Sequence, residues 1–210
     1  MGSSLTDTLL FRLSTMSHRE NPGTLRRELR FSQAAFSENL NALGLERDGV
    51  RPLEAAMMDP QGLLGLHGTE LLLLEKVLGL HSEKPAVSLV GELISVKQVP
   101  AQTRVSYGYL AATDRKTKLG LVGIGFSDGL PRSATNFMKV AIGENVFQSL
   151  GRIAMDQCVV DLEGSHFEPG AEVVMFGNHY SLAALAKDSG FTPLEILGRI
   201  NSRVTRTWSE

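Results

Sequence analysis

Cysteine and net charge are both scarce in this sequence. One cysteine, Cys158, occurs among 210 residues, so no disulfide can form within them and a reducing compartment is favoured. The formal net charge is −2, which gives no electrostatic basis for binding nucleic acid or an anionic membrane. The longest apolar run, Leu71 to Leu74, meets Glu75 and Lys76 at once and is too short to span a bilayer. We therefore expect a cytoplasmic protein with neither nucleic acid nor membrane as a partner.

The remaining composition is that of an ordinary globular protein. Hydrophobic residues make up 42% of the sequence and charged residues 21%. A chain of this length can form one large domain or two small ones around a real core. The hydrophobic period changes near residue 86. This change divides the chain into a front section, residues 1–85, and a β domain, residues 86–210.

The front section has the pattern of a β-α-β-α unit. A turn at Asn21-Pro22-Gly23 and a suitable N-cap, Thr24, precede apolar residues at helical spacing. The predicted elements are a strand over Thr8–Ser17, a helix carrying Leu25, Leu29, Phe36, Leu40 and Leu43, a strand over Arg51–Met58 and a helix over Glu70–Leu80. Such a unit leaves sheet edges and apolar helix faces uncovered. We expect the front section to fold back on the β domain or to be buried by a partner.

The β domain shows the shorter period that is typical of strands. A long, bulged strand is predicted from Val87 to the residue before Pro100. Further strands are predicted over Leu119–Phe126, Val140–Ile142, Val146–Phe147, Ile153–Leu162 and Ala171–Phe176, and capped helices begin at Leu182 and Pro193. Many short strands separated by turn residues indicate a closed or nearly closed β barrel.

Two stretches place unusual polar groups at the ends of apolar runs, Val105–Tyr109 (VSYGY) and Gly151–Gln157 (GRIAMDQ). A tyrosine between serine and glycine can present its hydroxyl outward on a stiff backbone. The second stretch offers a guanidinium, backbone N–H groups and a carboxylate within a few residues. Each stretch also has an ordinary interpretation, as a half-buried residue at a strand end and as a solvated edge.

Five segments in series give these stretches a context. They are VSYGY, IGFSDGLPR, VFQSLGRIAMDQCVVDL, AEVVMFG and LEILGRINSRVTRTW. In this order and spacing they resemble the C-terminal β domain of alanine racemase, over about Val87 to Trp208. The resemblance implies a mainly β fold with a C-terminal β-barrel domain of the alanine racemase type. The front section resembles the closing segments of the (β/α)₈ barrel that binds pyridoxal 5′-phosphate (PLP) in that family, with most of the barrel missing.

The resemblance implies a chemistry, the interconversion of L-alanine and D-alanine for cell-wall synthesis. Racemisation removes the proton on Cα and returns one to the opposite face, and two bases are the simplest arrangement. In this family one base is the lysine that holds PLP, and the other is a tyrosine from the β domain of the neighbouring subunit. Tyr107 matches that tyrosine. Because a free phenol titrates near ~10, a catalytic one needs positive charge nearby.

Other positions carry over from the family one at a time. Met155 matches the methionine whose backbone amide contacts the substrate carboxylate. The residues that match the active-site entrance are Phe126, Arg132, Arg152 and Asp156. Gly68 resembles the glycine that approaches the PLP phosphate. For both arginines a surface salt bridge of little energetic value is the ordinary alternative. No metal site is expected.

The lysine that would hold the cofactor has no counterpart in this sequence. None of its lysines stands in the context of the family's lysine-bearing strand. The main hypothesis is therefore an alanine-racemase-family protein that contributes the tyrosine-bearing half of a PLP-dependent site, inactive alone and assembled as a homo-oligomer or with a barrel-containing partner. We expect no covalent binding of PLP by this chain alone. The alternatives are a non-catalytic β-barrel interaction module and a pseudoenzyme remnant.

Overall fold

The described chain begins with a strand where the sequence predicted a helix. The computed structural model describes residues 25–59, 61–82 and 85–210, so the strand predicted over Thr8–Ser17 lies outside the described residues. The first strand, β1, spans Glu28–Ser32. Leu29 and Phe31 are fully buried in it, while the alternate residues Glu28, Arg30 and Ser32 are only half-buried. This period of two is that of a strand, and the helix prediction is wrong for these residues.

The first helix, α1, spans Gln33–Ala42 and begins where a side chain can cap it. The hydroxyl of Ser32 accepts a hydrogen bond from the Ala35 N–H at 3.2 Å, which satisfies one of the free donors of the first turn. Phe36 and Leu40 form its buried face, four residues apart as predicted. The helical stripe is therefore confirmed for its second half only.

A second correction concerns Arg51–Met58, which is a helix, α2, and not a strand. Pro52 stands in its first turn, where the missing N–H costs nothing. Leu53 and Met57 are buried four residues apart on one face. The third helix, α3, spans Thr69–Val77 and confirms the helix predicted there. The described front section therefore reads β-α-α-α, and it does not show the alternating strands and helices expected of a barrel segment.

The β domain contains the predicted strands, but two of them are shorter than predicted. The strand predicted to end at Phe126 ends at Val122, and the one predicted to begin at Ile153 begins at Cys158. Its longest strand, β2, spans Val87–Val99 and shifts register between Leu93 and Ser95, as the predicted bulge requires. The other strands are β3 Arg104–Val105, β4 Ala111–Ala112, β5 Thr117–Val122, β6 Lys139–Ile142, β7 Asn145–Gln148, β8 Cys158–Asp161, β9 Glu172–Phe176 and β10 Thr205–Ser209. The helices are α4 Leu182–Ser189 and α5 Pro193–Arg199, both with the predicted caps.

These strands form a mixed sheet in the order β10-β1-β2-β9-β6-β7, with β5 added to the far half of β2 and β8 to β5. Among the described residues the sheet does not close into a continuous barrel. Its two arms are joined by an isolated bridge between Ser149, directly after β7, and Val160 of β8. Of the two predicted forms, closed or nearly closed, the closed barrel is therefore wrong for the described residues. No helix in the described part of the chain is long and apolar enough to cross a membrane.

The front section folds back on the β domain. This is one of the two arrangements expected from the sequence, the other being burial by a partner. Strand β1 lies between β2, to which it is antiparallel, and β10, to which it is parallel. Its Phe31 ring lies 5.6 Å from the Trp208 ring of β10, and the Phe36 ring of α1 lies 5.4 Å from the same indole. The buried side chains of both sections form one cluster, so the hydrophobic core continues across residue 86.

Candidate active-site face

Tyr107 is presented on a tight hairpin between β3 and β4. Three of the hairpin residues have positive φ, namely Ser106 at 63°, Gly108 at 78° and Tyr109 at 52°. Two non-glycine residues in this region store backbone strain, which the surrounding contacts must hold. The result is a tyrosine side chain that is 61% exposed. The phenol is thus turned outward and is not sealed in the core.

The Gly151–Gln157 stretch lies directly against this hairpin. The guanidinium carbon of Arg152 is 5.8 Å from the centre of the Tyr107 ring, within the range of a cation–π contact. The Ser106 hydroxyl donates to the Arg152 carbonyl oxygen at 2.5 Å. A Cβ on Gly151 would approach the Ser106 Cβ to 2.6 Å, so only glycine fits at that position. The two stretches singled out in the sequence are therefore brought together.

A second loop, residues 135–137, supports the Gly151–Gln157 stretch through hydrogen bonds. The Asn136 side-chain oxygen accepts a hydrogen bond from the Gly151 N–H at 2.6 Å, and the Thr135 hydroxyl accepts one from the Ile153 N–H at 3.4 Å. Phe137, next along this loop, is 62% exposed. The loop thus fixes the backbone before Met155 and adds an apolar side chain at the surface.

The side chain of Met155 is exposed, and its backbone is held by hydrogen bonds from the neighbouring segment. Its carbonyl oxygen accepts hydrogen bonds from the Ser127 N–H at 2.9 Å and from the Ser127 hydroxyl at 2.7 Å. The Phe126 N–H donates to the Ala154 oxygen at 3.0 Å. A Cβ on Gly125 would come within 2.3 Å of the Met155 oxygen, so the two segments touch along their backbones. Within the described residues the Met155 N–H has no acceptor and remains available to a ligand.

The expected entrance residues lie on these same segments. The guanidinium of Arg132 stacks 5.5 Å from the ring centre of Phe126, and the Asp156 carboxylate follows Met155 directly. Gly68 does not join them, since it lies in the front section at the N-terminus of α3. Its φ of 55° explains the glycine, and an added Cβ there would meet nothing within 4 Å among the described residues.

An ionic cluster beneath this face was missed by the sequence analysis. The carboxylate of Asp128 is fully buried, and its Oδ1 lies 3.4 Å from the Nε of both Arg27 and Arg203. Its Oδ2 accepts a hydrogen bond from the Gly125 N–H at 2.9 Å. Arg203 also reaches Asp156, with its Nη1 at 2.7 Å from Oδ1. Asp128 and Arg203 stand in the segments IGFSDGLPR and LEILGRINSRVTRTW, but their pairing could not be read from either segment alone.

Burial and charge act differently on the carboxylates and the thiol of this region. Burial raises the pKa of Asp128 above its usual range, against the Gly125 N–H and the two arginines. Partial burial also disfavours the charge of Asp156, but the hydrogen bond and the positive charge of Arg203 outweigh it and hold its pKa below the usual range. Burial and the Asp128 charge raise the pKa of Cys158 to about 12, so that thiol is unreactive.

The lowered pKa of Asp156 predicts how its contribution to stability depends on pH. Since its folded pKa lies below its unfolded value of ~3.9, the contribution is present above that pH and is lost as pH falls through the folded pKa. Half of the side chain is exposed, so we expect about 0–1 kcal/mol. Urea unfolding of the wild type and the Asp156→Asn variant from pH 7 to pH 3 measures it. A difference that grows as pH falls would contradict this sign.

A separate groove of about 530 Å³ does not include the tyrosine. It lies over β1, β2 and β9 and is lined by Arg30, Ser32, Pro85, Ala86, Val87, Ser88, Val90, Gly143, Glu144, Glu172, Val174, Asn178, His179 and Ser209. Arg30 is already paired there with Glu172 through two hydrogen bonds of 2.8 Å. The chemical groups that the sequence singled out therefore lie on an open face and not in this groove.

Comparison with known proteins finds relatives of the β domain. Residues 86–208 match the family model described as alanine racemase, C-terminal domain. The alanine racemase of Streptomyces coelicolor is 43% identical over 129 residues, which are 60% of this chain and 33% of that protein. The solved structure from that organism gives a TM-score of 0.58 at 42% identity and covers 60% of this chain and 34% of that chain.

A further solved structure bears on the cofactor of such proteins. The alanine racemase of Bartonella henselae, described with covalently bound pyridoxal phosphate, matches with a TM-score of 0.57 at 26% identity, over 60% of this chain and 36% of that chain. The present chain spans about a third of the length of these relatives. Its match to the family model nevertheless covers more than half of its own residues, and the chain belongs to the alanine racemase family.

Proposed function

We propose that this chain supplies the tyrosine-bearing half of a PLP-dependent alanine racemase site to a barrel carried by another chain. The observation that carries the proposal is the exposed phenol of Tyr107 beneath the Arg152 guanidinium. Met155 shares the loop with Arg152, so a base and a backbone donor are presented by one surface. An isolated β domain has no evident need for such an arrangement at its surface.

Each group on this surface has a defined role in the proposal. The phenolic oxygen of Tyr107 takes up or returns the proton on one side of the substrate Cα, and the Arg152 guanidinium lies 5.8 Å from the centre of its ring. The free Met155 N–H binds the carboxylate of alanine. Phe126, Arg132, Arg152 and Asp156 line the approach to these groups.

The cofactor is assigned to the partner in this proposal. PLP would supply stabilisation of the carbanion that forms when Cα loses its proton. The face described above offers a phenol, a thioether, guanidinium groups and carboxylates, and none of these is the primary amine that covalent attachment requires. The residues of this face therefore do not fit PLP by themselves, and no covalent attachment of PLP to this chain is proposed. Gly68, which lies apart from this face at the N-terminus of α3, is proposed as a contact for the phosphate of PLP.

The partner that this surface favours is a chain with a PLP-binding barrel. Tyr107, Phe137 and Met155 are all more than half exposed, and their loops are joined by the Arg152–Tyr107 contact and the Gly151–Asn136 hydrogen bond. Self-association of this chain would cover the same surface but would bring no lysine-bearing barrel to it. We therefore propose a mixed assembly for catalysis, located in the cytoplasm, where the single reduced cysteine is stable.

Complementation in trans tests this proposal. Streptomyces coelicolor alanine racemase, with phenylalanine in place of its own tyrosine at the position of Tyr107, retains its barrel but lacks the second base. Mixing it with this chain is expected to raise D-alanine formation by at least ~10²-fold, the usual contribution of a positioned acid–base group. Neither protein alone should approach this rate. The readout is a coupled assay for D-alanine.

A second function, a non-catalytic interaction module or pseudoenzyme remnant, has one observation in its favour. The chain matches only about a third of its relatives, and its described front section contains one strand where a barrel would need several. If the mixed proteins associate in sedimentation but form no D-alanine above the level of the variant alone, the proposed catalytic role is wrong and the interaction module replaces it.

A further inference from the structure

We propose that Arg203 is a positioning residue that holds the Ala154–Asp156 loop in its ligand-ready form. The inference rests on the proposed function of Met155, and it adds a residue that this function does not include. Arg203 lies in the turn between α5 and β10, almost fifty residues after the loop. It touches none of the groups proposed to contact alanine, so any effect on the site must pass through its neighbours.

The guanidinium of Arg203 joins a buried carboxylate to an exposed one. Its Nε lies 3.4 Å from Oδ1 of the buried Asp128, and its Nη1 lies 2.7 Å from Oδ1 of Asp156. The same Nη1 donates to the Ser127 hydroxyl at 2.6 Å. A planar guanidinium presents donors in a fixed geometry and can serve three acceptors at once, whereas a lysine ammonium on a flexible stem holds each less firmly. Arg203 is thereby fixed at its inner end and directs its outer end at the loop.

The contact between Arg203 and Ser127 determines which acceptor receives the hydrogen of the Ser127 hydroxyl. The Ser127 oxygen lies 2.7 Å from the Met155 carbonyl and 3.1 Å from Asp156 Oδ1, but it has only one hydrogen to give. Because Arg203 pairs with Asp156 and also donates to the Ser127 oxygen, the hydroxyl hydrogen is left for the nearer acceptor, the Met155 carbonyl. This carbonyl already receives the Ser127 N–H at 2.9 Å. Because the Met155 carbonyl oxygen accepts both of these hydrogen bonds, the orientation of the peptide between Met155 and Asp156 is fixed.

The peptide before Met155 is fixed in the same way. The Ala154 carbonyl accepts the Phe126 N–H at 3.0 Å. Since a trans peptide directs its N–H opposite to its carbonyl, the Met155 N–H must point away from the 125–128 segment, toward the exposed face. The segment that sets this direction is itself tied to Asp128, through the Gly125 N–H, and hence to Arg203. The orientation of the proposed carboxylate donor therefore depends on this arginine.

Amide hydrogen exchange by NMR on the purified chain tests the inference without requiring activity. In the Arg203→Gln variant, the amides of Phe126 and Ser127 are expected to exchange roughly tenfold faster, because they open when the loop loosens. Amides in the β2–β9 ladder should keep their wild-type rates. The matched control is Arg199→Gln, which removes another arginine of the same region that stacks 4.1 Å from the Phe191 ring centre. Arg203→Lys should fall between the two.

Two outcomes overturn the inference. Unchanged protection of Phe126 and Ser127 in Arg203→Gln would show that the loop does not depend on the arginine. A uniform acceleration through the whole sheet would show a merely structural role. Should Arg203→Gln fail to fold, Asp156→Ala removes the outer contact alone and must still loosen the same two amides. If the loop loosens as expected but complementation yields no D-alanine with the wild-type chain, the positioning stands and the proposed function fails.

Discussion

Replacing Tyr107 by phenylalanine is expected to lower D-alanine formation in the complemented mixture by about 10²–10⁴-fold, the loss typical of a missing acid–base group. The ring remains, so its contact with the Arg152 guanidinium at 5.8 Å is kept. Only the phenolic oxygen is removed. Binding between the two chains should therefore stay unchanged, and its dissociation constant from sedimentation is the companion measurement.

Tyr109→Phe provides the matched control for this substitution. Tyr109 lies on the same hairpin and has an arginine of its own, Arg104, whose guanidinium carbon is 5.5 Å from its ring centre. Losing its hydroxyl should leave the rate within about twofold of wild type, since a surface substitution of this kind is usually near neutral. Equal losses for Tyr107→Phe and Tyr109→Phe would mean that the hairpin supports assembly and that no phenol moves a proton.

A chain shortened to residues 86–210, the segment that matches the family model, is expected not to fold stably. The cut removes β1 from between β2 and β10 and exposes both of those strands. It also removes the buried side chains of Leu29, Phe31 and Phe36. At about 1.5–3 kcal/mol for each buried side chain, the loss is roughly 5–9 kcal/mol, which matches or exceeds the whole stability of many domains.

Thermal unfolding followed by circular dichroism, together with the dispersion of amide NMR signals, measures this loss. The control restores the missing strand in trans, as a peptide of residues 25–82 added to the shortened chain. Its addition should recover dispersed spectra and a cooperative transition if β1 is the missing part. A shortened chain that unfolds cooperatively near the wild-type temperature would show that β1 is dispensable.

The sequence predicted the β domain well and the front section poorly, for a physical reason. In the β domain the turns and the period of two agree, as the strands of Val87–Val99 and Glu172–Phe176 show. In the front section Leu29 and Phe36 are seven residues apart, a spacing that suits one helix face as well as a strand followed by a helix. Strand β1 is selected by partners far along the chain, which local spacing cannot reveal.

The sequence likewise predicted one part of the candidate site and missed the other. The proximity of Tyr107, Arg152 and Met155 follows from segments that the family resemblance already aligned. The pairing of Asp128 with Arg203 joins residues that are far apart in the chain and gives no local pattern. Such pairs are set by the way loops meet in three dimensions. Only coordinates could show that a buried carboxylate underlies the exposed loop.

The position of β1 also has a consequence for how the protein is made. Glu28 lies opposite Thr205, so an early strand has to wait for the last one before its parallel pairing can form. Contacts this distant along the chain slow folding, because a long loop must close first. The sheet should therefore be completed only after the C-terminal residues have left the ribosome. Products of interrupted translation would keep an open strand edge and be prone to aggregation.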